Sequence, residues 1–304
     1  MDIEELIKTH ELVLMEGAVI ERLRRSEKLK LHPTLLHTPL IYEKNGRIAM
    51  KQIFDEYIDI AEKAGTPIFI CTPTWRADKD RVKTSGVDPS INIHGVDFIK
   101  EIRATRGSFA DNIKIGGLIG CKNDCYQPEE SLSLQEAEQY HTWQIDQLVK
   151  GGVDFLIAET LPNLQEAIGI ASALSKSSIP YFISFVIARD GRLLDGTPLH
   201  EAILKVDKGT SPKPLGYMIN CAYPTFLCAN QQPHEVFKRL IGYLANASSL
   251  DHCDLDSAEH LEVDDISEWG NAMLELNKRY GVKVLGGCCG TGAEHLNYIA
   301  FGKS

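Results

Sequence analysis

"VKVLGGCCGT", residues 282–291, ends a short apolar run in two glycines, two adjacent cysteines and a third glycine. Neighbouring side chains in a strand point to opposite faces, so Cys288 and Cys289 can serve one site only where the backbone turns sharply. Gly286, Gly287 and Gly290 permit such a turn. The stretch therefore reads as a buried strand that stops at a site.

Seven further runs of the same kind precede it: "ELVLMEG" (11–17), "PIFICT" (67–72), "IKIGGLIG" (113–120), "VDFLIAE" (153–159), "PYFISFVI" (180–187), "PLGYMIN" (214–220) and "LIGYLAN" (240–246). None alternates strictly between apolar and polar residues, as expected of parallel strands covered on both faces. Helical spacing separates them. Met50, Ile53, Phe54, Tyr57, Ala61 and Ala64 fall on one face of a helix that Gly65 should stop. Ser133 and Glu136 read as a capping box, and Trp269, Met273, Leu276 and Tyr280 mark the packed face of the last long helix.

Eight strand–helix units with no linker predict one α/β domain over residues 1–304, a single (β/α)8 TIM barrel. A doubly wound sheet would normally carry a glycine-rich fingerprint after its first strand. "MEGAVIERL" is not one.

Composition narrows the function. The 304 residues are 43% hydrophobic and 24% charged, ordinary for a globular chain, and the net charge of -10 argues against a nucleic-acid partner. No apolar run approaches the ~20 residues of a membrane span, and the acidic amino terminus lacks the order of a signal peptide. A cytoplasmic protein is expected, its eight cysteines reduced. Cys71, Cys228 and Cys253 read as small buried hydrophobes. Cys121 and Cys125, four apart in a loop, read as incidental. No coiled coil or dimerisation arm follows the eighth strand, and a homo-oligomer stays open.

Functional residues of a barrel gather at the carboxyl ends of its strands. Those positions hold Glu16 after the first, Thr72 after the second and Glu159 after the fourth. Asn220 and Cys221 follow the sixth, with Cys288 and Cys289 after the eighth. Three thiolates at one barrel end suit Zn2+, and three protein ligands leave a position open for a reactant. Buried thiols, or a disulfide between Cys288 and Cys289, are the alternatives that spacing leaves open. The pattern Thr291-x-x-Glu294 suggests a capping box opening a helix just after the cysteines.

These residues also carry a resemblance. "NCAYP" followed by "GGCCGT" is similar to the paired zinc-binding segments of the homocysteine S-methyltransferase family. "LMEGAVIERL", "ICTPTWRAD", "GVDFLIAETLPNLQEA", "FVIARDGRLLDGTPLHEAI" and "LANASSLD" match in order, across nearly the whole chain. The family includes betaine- and S-methylmethionine-using enzymes and the amino-terminal module of cobalamin-dependent methionine synthase. The resemblance implies zinc on Cys221, Cys288 and Cys289, a thiol substrate as fourth ligand, and a methyl donor. It implies substrate contacts at Glu16, Gly17, Thr72, Glu159 and Asn220, the two carboxylates holding the ammonium group, and no catalytic group beyond the metal site.

Two departures bear on the substrates. Glu16 stands where the family usually has Asp, and "GCKNDC" replaces a Gly-Pro after the third strand. The chain's length is nearer the S-methylmethionine-using members, which implies a sulfonium donor, and Trp75 and Tyr223 are candidate aromatic faces for it. Another small thiol, a corrinoid-bound methyl group, or a non-catalytic zinc or redox protein on the same barrel are the other readings.

Overall fold

The computed structural model describes residues 1–26, 28–251 and 263–302. Eight parallel strands close on themselves in sequence order: β1 (Val13–Met15), β2 (Ile68–Cys71), β3 (Ile113–Gly120), β4 (Phe155–Leu161), β5 (Tyr181–Phe185), β6 (Gly216–Ala222), β7 (Leu240–Ala245) and β8 (Val284–Gly287). β1 pairs with both β2 and β8, which closes the (β/α)8 barrel. Each of the eight expected strands is present.

Apolar side chains fill the barrel, and they also explain why its strands lack alternation. Val13, Met15, Phe69, Phe155, Ile157, Phe182, Met218 and Val284 form the interior cluster. Phe69, Phe155 and Phe182 pack ring against ring, with centroids 4.8–6.3 Å apart. Ile3, Leu6 and Ile7 of the first helix, Ile3–Thr9, join this cluster and plug the amino-terminal end. The alternate strand residues face the helices, so both faces are apolar. Only the carboxyl end of the barrel is left for a site.

The helical expectations hold locally. Lys44–Ala64 is one helix, and Gly65 ends it at φ 64°, where a glycine carries no Cβ penalty. Ser133 and Glu136 cap Leu134–Gly151 reciprocally. Trp269, Met273 and Leu276 are buried along Ile266–Tyr280.

Two expectations are corrected. The helix after the cysteines, Ala293–Phe301, is capped from Gly292, whose N–H donates to His295 Nδ1 at 3.1 Å. The Thr291 hydroxyl instead donates to the carbonyl oxygen of Cys288 at 2.7 Å and accepts the Ala18 N–H at 3.2 Å. It therefore ties the cysteine turn to the segment that follows β1. Cys228 is half-buried, at φ 48°, with its sulfur against the Arg189 carbonyl oxygen. Cys71 is buried as expected, and Cys253 lies outside the described residues.

Candidate metal centre and substrate cavity

The glycines around Cys288 and Cys289 have separate tasks. A Cβ on Gly286 would stand 2.6 Å from the Met15 carbonyl oxygen and 2.9 Å from that of Glu16. Neither backbone atom can yield cheaply, so this glycine permits β8 to press against β1. Gly287 leaves room for the Thr291 side chain. Only Gly290, at φ 81°, supplies the left-handed turn. The strand ends at Gly287, so the cysteine pair lies in the turn that Gly290 completes, with both sulfurs within 4.8 Å of each other.

Contacts from the end of β7 and the two residues after it fix that bend. Cys288 N donates to Ala245 O at 2.7 Å, Cys289 N to Asn246 Oδ1 at 3.2 Å, and Ala247 N to Cys289 O at 2.9 Å. Asn246 sits at a strand end like the other candidates, in "LANASSLD", but its role as a holder of Cys289 was not read from the sequence.

Cys221 is presented by an irregularity in β6. The register slips between Asn220 and Ala222, and Cys221 adopts φ 54°. β4 carries a matching slip between Ala158 and Leu161, with Thr160 at φ 60°. A β-branched residue there is a genuine outlier, held only when its surroundings demand it. The Asn220 amide links the two slips. Its Oδ1 accepts the Thr160 N–H at 2.8 Å and the Ser184 hydroxyl at 2.7 Å, while Nδ2 donates to Thr160 Oγ1 at 2.7 Å and to Cys221 Sγ at 3.4 Å. Two donors and two acceptor positions are thus committed inside the protein.

The three sulfurs meet. Cys221, Cys288 and Cys289 Sγ lie within 4.8 Å of one another, from segments 67 residues apart in sequence. Cys221 and Cys288 Sγ are in direct contact, with Cα atoms 5.4 Å apart. The sulfurs that touch are therefore not the Cys288–Cys289 pair. Once reduced, the trio offers three soft donors on one side of a possible cation, a set suited to zinc with one position facing outward.

It opens onto a cavity of about 940 Å3 at the barrel mouth. Glu16, Gly17, Thr72, Glu159, Asn220, Cys221, Cys288 and Cys289 all line it. Glu16 Oε2 accepts the Cys71 N–H at 2.7 Å. Burial raises the Glu16 carboxyl well above its usual range, against the lowering effect of that N–H, and nearby Glu159 raises it further. Glu159 Oε1 is buried without a partner, and burial pushes this carboxyl up to about 8. Thr72 is less available. Its hydroxyl shares a hydrogen bond with Thr74 at 2.7 Å and accepts the Leu118 N–H at 3.0 Å.

The β3 loop forms another wall. Glu166 holds it from behind, accepting the Lys122 N–H at 2.9 Å and the Leu132 N–H at 3.3 Å, with His141 Nε2 at 3.2 Å. Cys125 from this loop lines the cavity and Cys121 is buried with its sulfur against the Asn123 carbonyl oxygen. The aromatic candidates fare differently. Tyr223 is buried against Phe226 and is absent from the described lining, because β6 runs two residues further than expected and carries Tyr223 past the mouth. Trp75 does line the cavity, but the Arg76 guanidinium lies over its ring at 4.2 Å.

The carboxyl mouth of this closed parallel barrel thus carries a cysteine trio that could hold a metal ion beside two half-buried carboxyls, the arrangement of a barrel enzyme. The family profile described as homocysteine S-methyltransferase matches residues 13–301. The chain belongs to the homocysteine S-methyltransferase family, a family of methyltransferases. The Escherichia coli homocysteine S-methyltransferase is 23% identical over 94% of this chain and 93% of its own length. The Bos taurus betaine–homocysteine S-methyltransferase 1 is also 23% identical, over 97% of this chain and 73% of its own. The metallated form of the homocysteine methyltransferase MmuM from Escherichia coli superposes with a TM-score of 0.75 at 18% identity, covering 97% of this chain and 98% of that one, and so shares the fold.

Proposed function

We propose that the chain transfers a methyl group from a small cationic donor to the thiol of homocysteine, giving methionine, with Zn2+ on Cys221, Cys288 and Cys289. The observation that carries this reading is the convergence of three sulfurs on a cavity that also holds two half-buried carboxyls. Zinc bound there would keep the acceptor sulfur deprotonated at neutral pH, where a free thiol of pKa about 8.5 is mostly protonated.

The remaining work belongs to the chain. Three cysteine thiolates would leave a Zn2+ held there at net charge -1, which would keep an acceptor sulfur nucleophilic. Asn220 donates toward Cys221 Sγ and is proposed as a positioning residue rather than a substrate contact, since its amide is already committed. Glu159, with its unpartnered Oε1, and Glu16 are proposed to receive the ammonium group. Gly17 and Thr72 complete that part of the wall. The acceptor's sulfur lone pair forms the new S–CH3 bond as the donor's bond to the methyl carbon breaks. The departing neutral sulfide or amine keeps the bonding pair. Such an in-line transfer depends on alignment at about 3–3.5 Å more than on acid–base help.

Identity does not choose the donor, since the two relatives above stand at 23% alike. Coverage does not choose it either, since the chain spans 73% of the betaine-using relative and 79% of an S-methylmethionine-using one. The sulfonium is proposed because a cationic methyl donor suits a site whose three thiolates would leave a zinc centre net negative. A site that needs reduced thiols also suits the cytoplasm. Reduced, zinc-loaded protein with homocysteine should form methionine from S-methylmethionine faster than from betaine or a methylated corrinoid protein, as measured by product formation. Turnover with the corrinoid alone would overturn the sulfonium donor. No methionine from any donor would overturn homocysteine as acceptor. The rival redox reading of the same cysteines predicts no thiol methylation at all.

A further inference from the structure

The cavity wall carries four arginines, Arg24, Arg25, Arg76 and Arg81, in a chain of net charge -10. Arg25 pairs with Glu21 and Arg81 with Asp78. Arg24 is exposed to solvent. Arg76 is neither paired nor loose. Its Nη1 donates to the carbonyl oxygens of Cys121 at 3.1 Å and Asn123 at 2.6 Å, and its guanidinium carbon lies over the Trp75 ring, 4.2 Å from the centroid. Among the described residues no carboxylate reaches it within an ion-pair distance.

This arrangement uses both hydrogens of Nη1 and leaves the Nε–Nη2 edge of the guanidinium. That edge is a planar fork whose two parallel N–H groups match the two oxygens of a carboxylate. A ring and two carbonyls already fix the side chain, so little rotamer freedom is lost when a ligand arrives. Trp75 is held in turn: a Cβ on Gly120 would stand 2.7 Å from its Nε1, so only glycine lets the indole lie there. A cationic methyl group gains nothing on the ring face the guanidinium covers, and like charge repels it there. The arginine faces the cavity as a receptor for an anion.

We infer that Arg76 anchors the carboxylate of an amino-acid-like ligand in this cavity and sets a preference for carboxylate-bearing over decarboxylated substrates. The inference rests on the methyl-transfer reading above. Both ligands of that reaction can carry the group: the amino-acid thiol, and a donor such as S-methylmethionine. The chemistry is the same in either case, and direct binding separates the sources.

The test compares wild type, Arg76→Gln and Arg76→Lys by calorimetric titration with four probes. These are homocysteine, its decarboxylated counterpart 3-aminopropanethiol, S-methylmethionine, and its decarboxylated counterpart (3-aminopropyl)dimethylsulfonium. Thermal melting and zinc content of each variant report on the loop that Arg76 also braces. Wild type should bind at least one carboxylated probe about ten- to a hundredfold more tightly than its decarboxylated partner. Arg76→Gln should erase that preference, and Arg76→Lys, which keeps the charge but loses the fork, should restore it only in part. Loss confined to homocysteine assigns the arginine to the acceptor, and loss confined to S-methylmethionine assigns it to the donor. Equal weakening of carboxylated and decarboxylated probes would reveal a purely structural role and overturn the inference. So would a wild type with no carboxylate preference. Methyl transfer to homocysteine is assayed in parallel: its presence without an Arg76-dependent preference sinks the inference alone, and its absence sinks the proposed reaction.

Discussion

Replacing Cys289 by serine is expected to strip the protein of most of its zinc and to lower methyl transfer at least about a hundredfold. Cys289 is the most open of the three sulfurs and is held through its backbone by Asn246 and Ala247. A serine can occupy the same turn without disturbing β7 or β8. The loss should therefore appear in metal content and activity while the melting temperature of the metal-free protein stays close to wild type. Metal analysis after reduction and reloading measures it, with about one zinc per chain in wild type. Reduction matters, because Cys221 and Cys288 are close enough to pair. Oxidised protein should release its metal. Full zinc retention in all three single serine variants, or after complete oxidation, would contradict the assignment.

Glu159→Gln is expected to weaken binding of the amine-bearing thiol about tenfold or more and to change how binding responds to pH. In the free protein burial holds this carboxyl up to about 8, so at neutral pH it is largely protonated. An ammonium group arriving beside it favours the charged form, so binding drives a proton off. Affinity should then rise as pH goes from 6 toward 8, by as much as about tenfold per pH unit below the raised pKa. Thiol ionisation adds its own slope, but that slope is common to wild type and variant. The difference between the two titration series isolates Glu159. Parallel series, with unaltered affinity, would move the ammonium pocket elsewhere. The same shift has a sign for stability. The folded chain keeps a proton that the unfolded chain releases above about 4.5, so the metal-free protein should lose stability as pH rises through that window up to about 8, and Glu159→Gln should lose less.

Much of the scaffold was legible because the signals were local. Each apolar run between turn residues became a strand, and Gly65, Ser133 and Glu136 bounded helices through their own backbone and side-chain chemistry. The cysteine trio was legible because a barrel gathers its strand ends in space, whatever their separation in sequence. What sequence left hidden depends on long-range partners. Thr160 and Ser184 look like ordinary strand residues, yet they receive the Asn220 amide that supports the bend at Cys221. Glu166 sits in an amphipathic helix, and only the fold brings it behind the β3 loop. Thr291 showed a local capping pattern, but the segment that follows β1 lies close enough to claim its hydroxyl. Trp75 offered a plausible aromatic face until its own neighbour, Arg76, was seen to cover it.

The central claim is that the acceptor's sulfur joins Cys221, Cys288 and Cys289 on one metal ion. X-ray absorption at the zinc edge of reduced, loaded protein, recorded with and without homocysteine, counts those sulfurs directly. Three sulfurs at about 2.3 Å are expected without the thiol and four with it. A sulfur count that stays at three when homocysteine is saturating would contradict it.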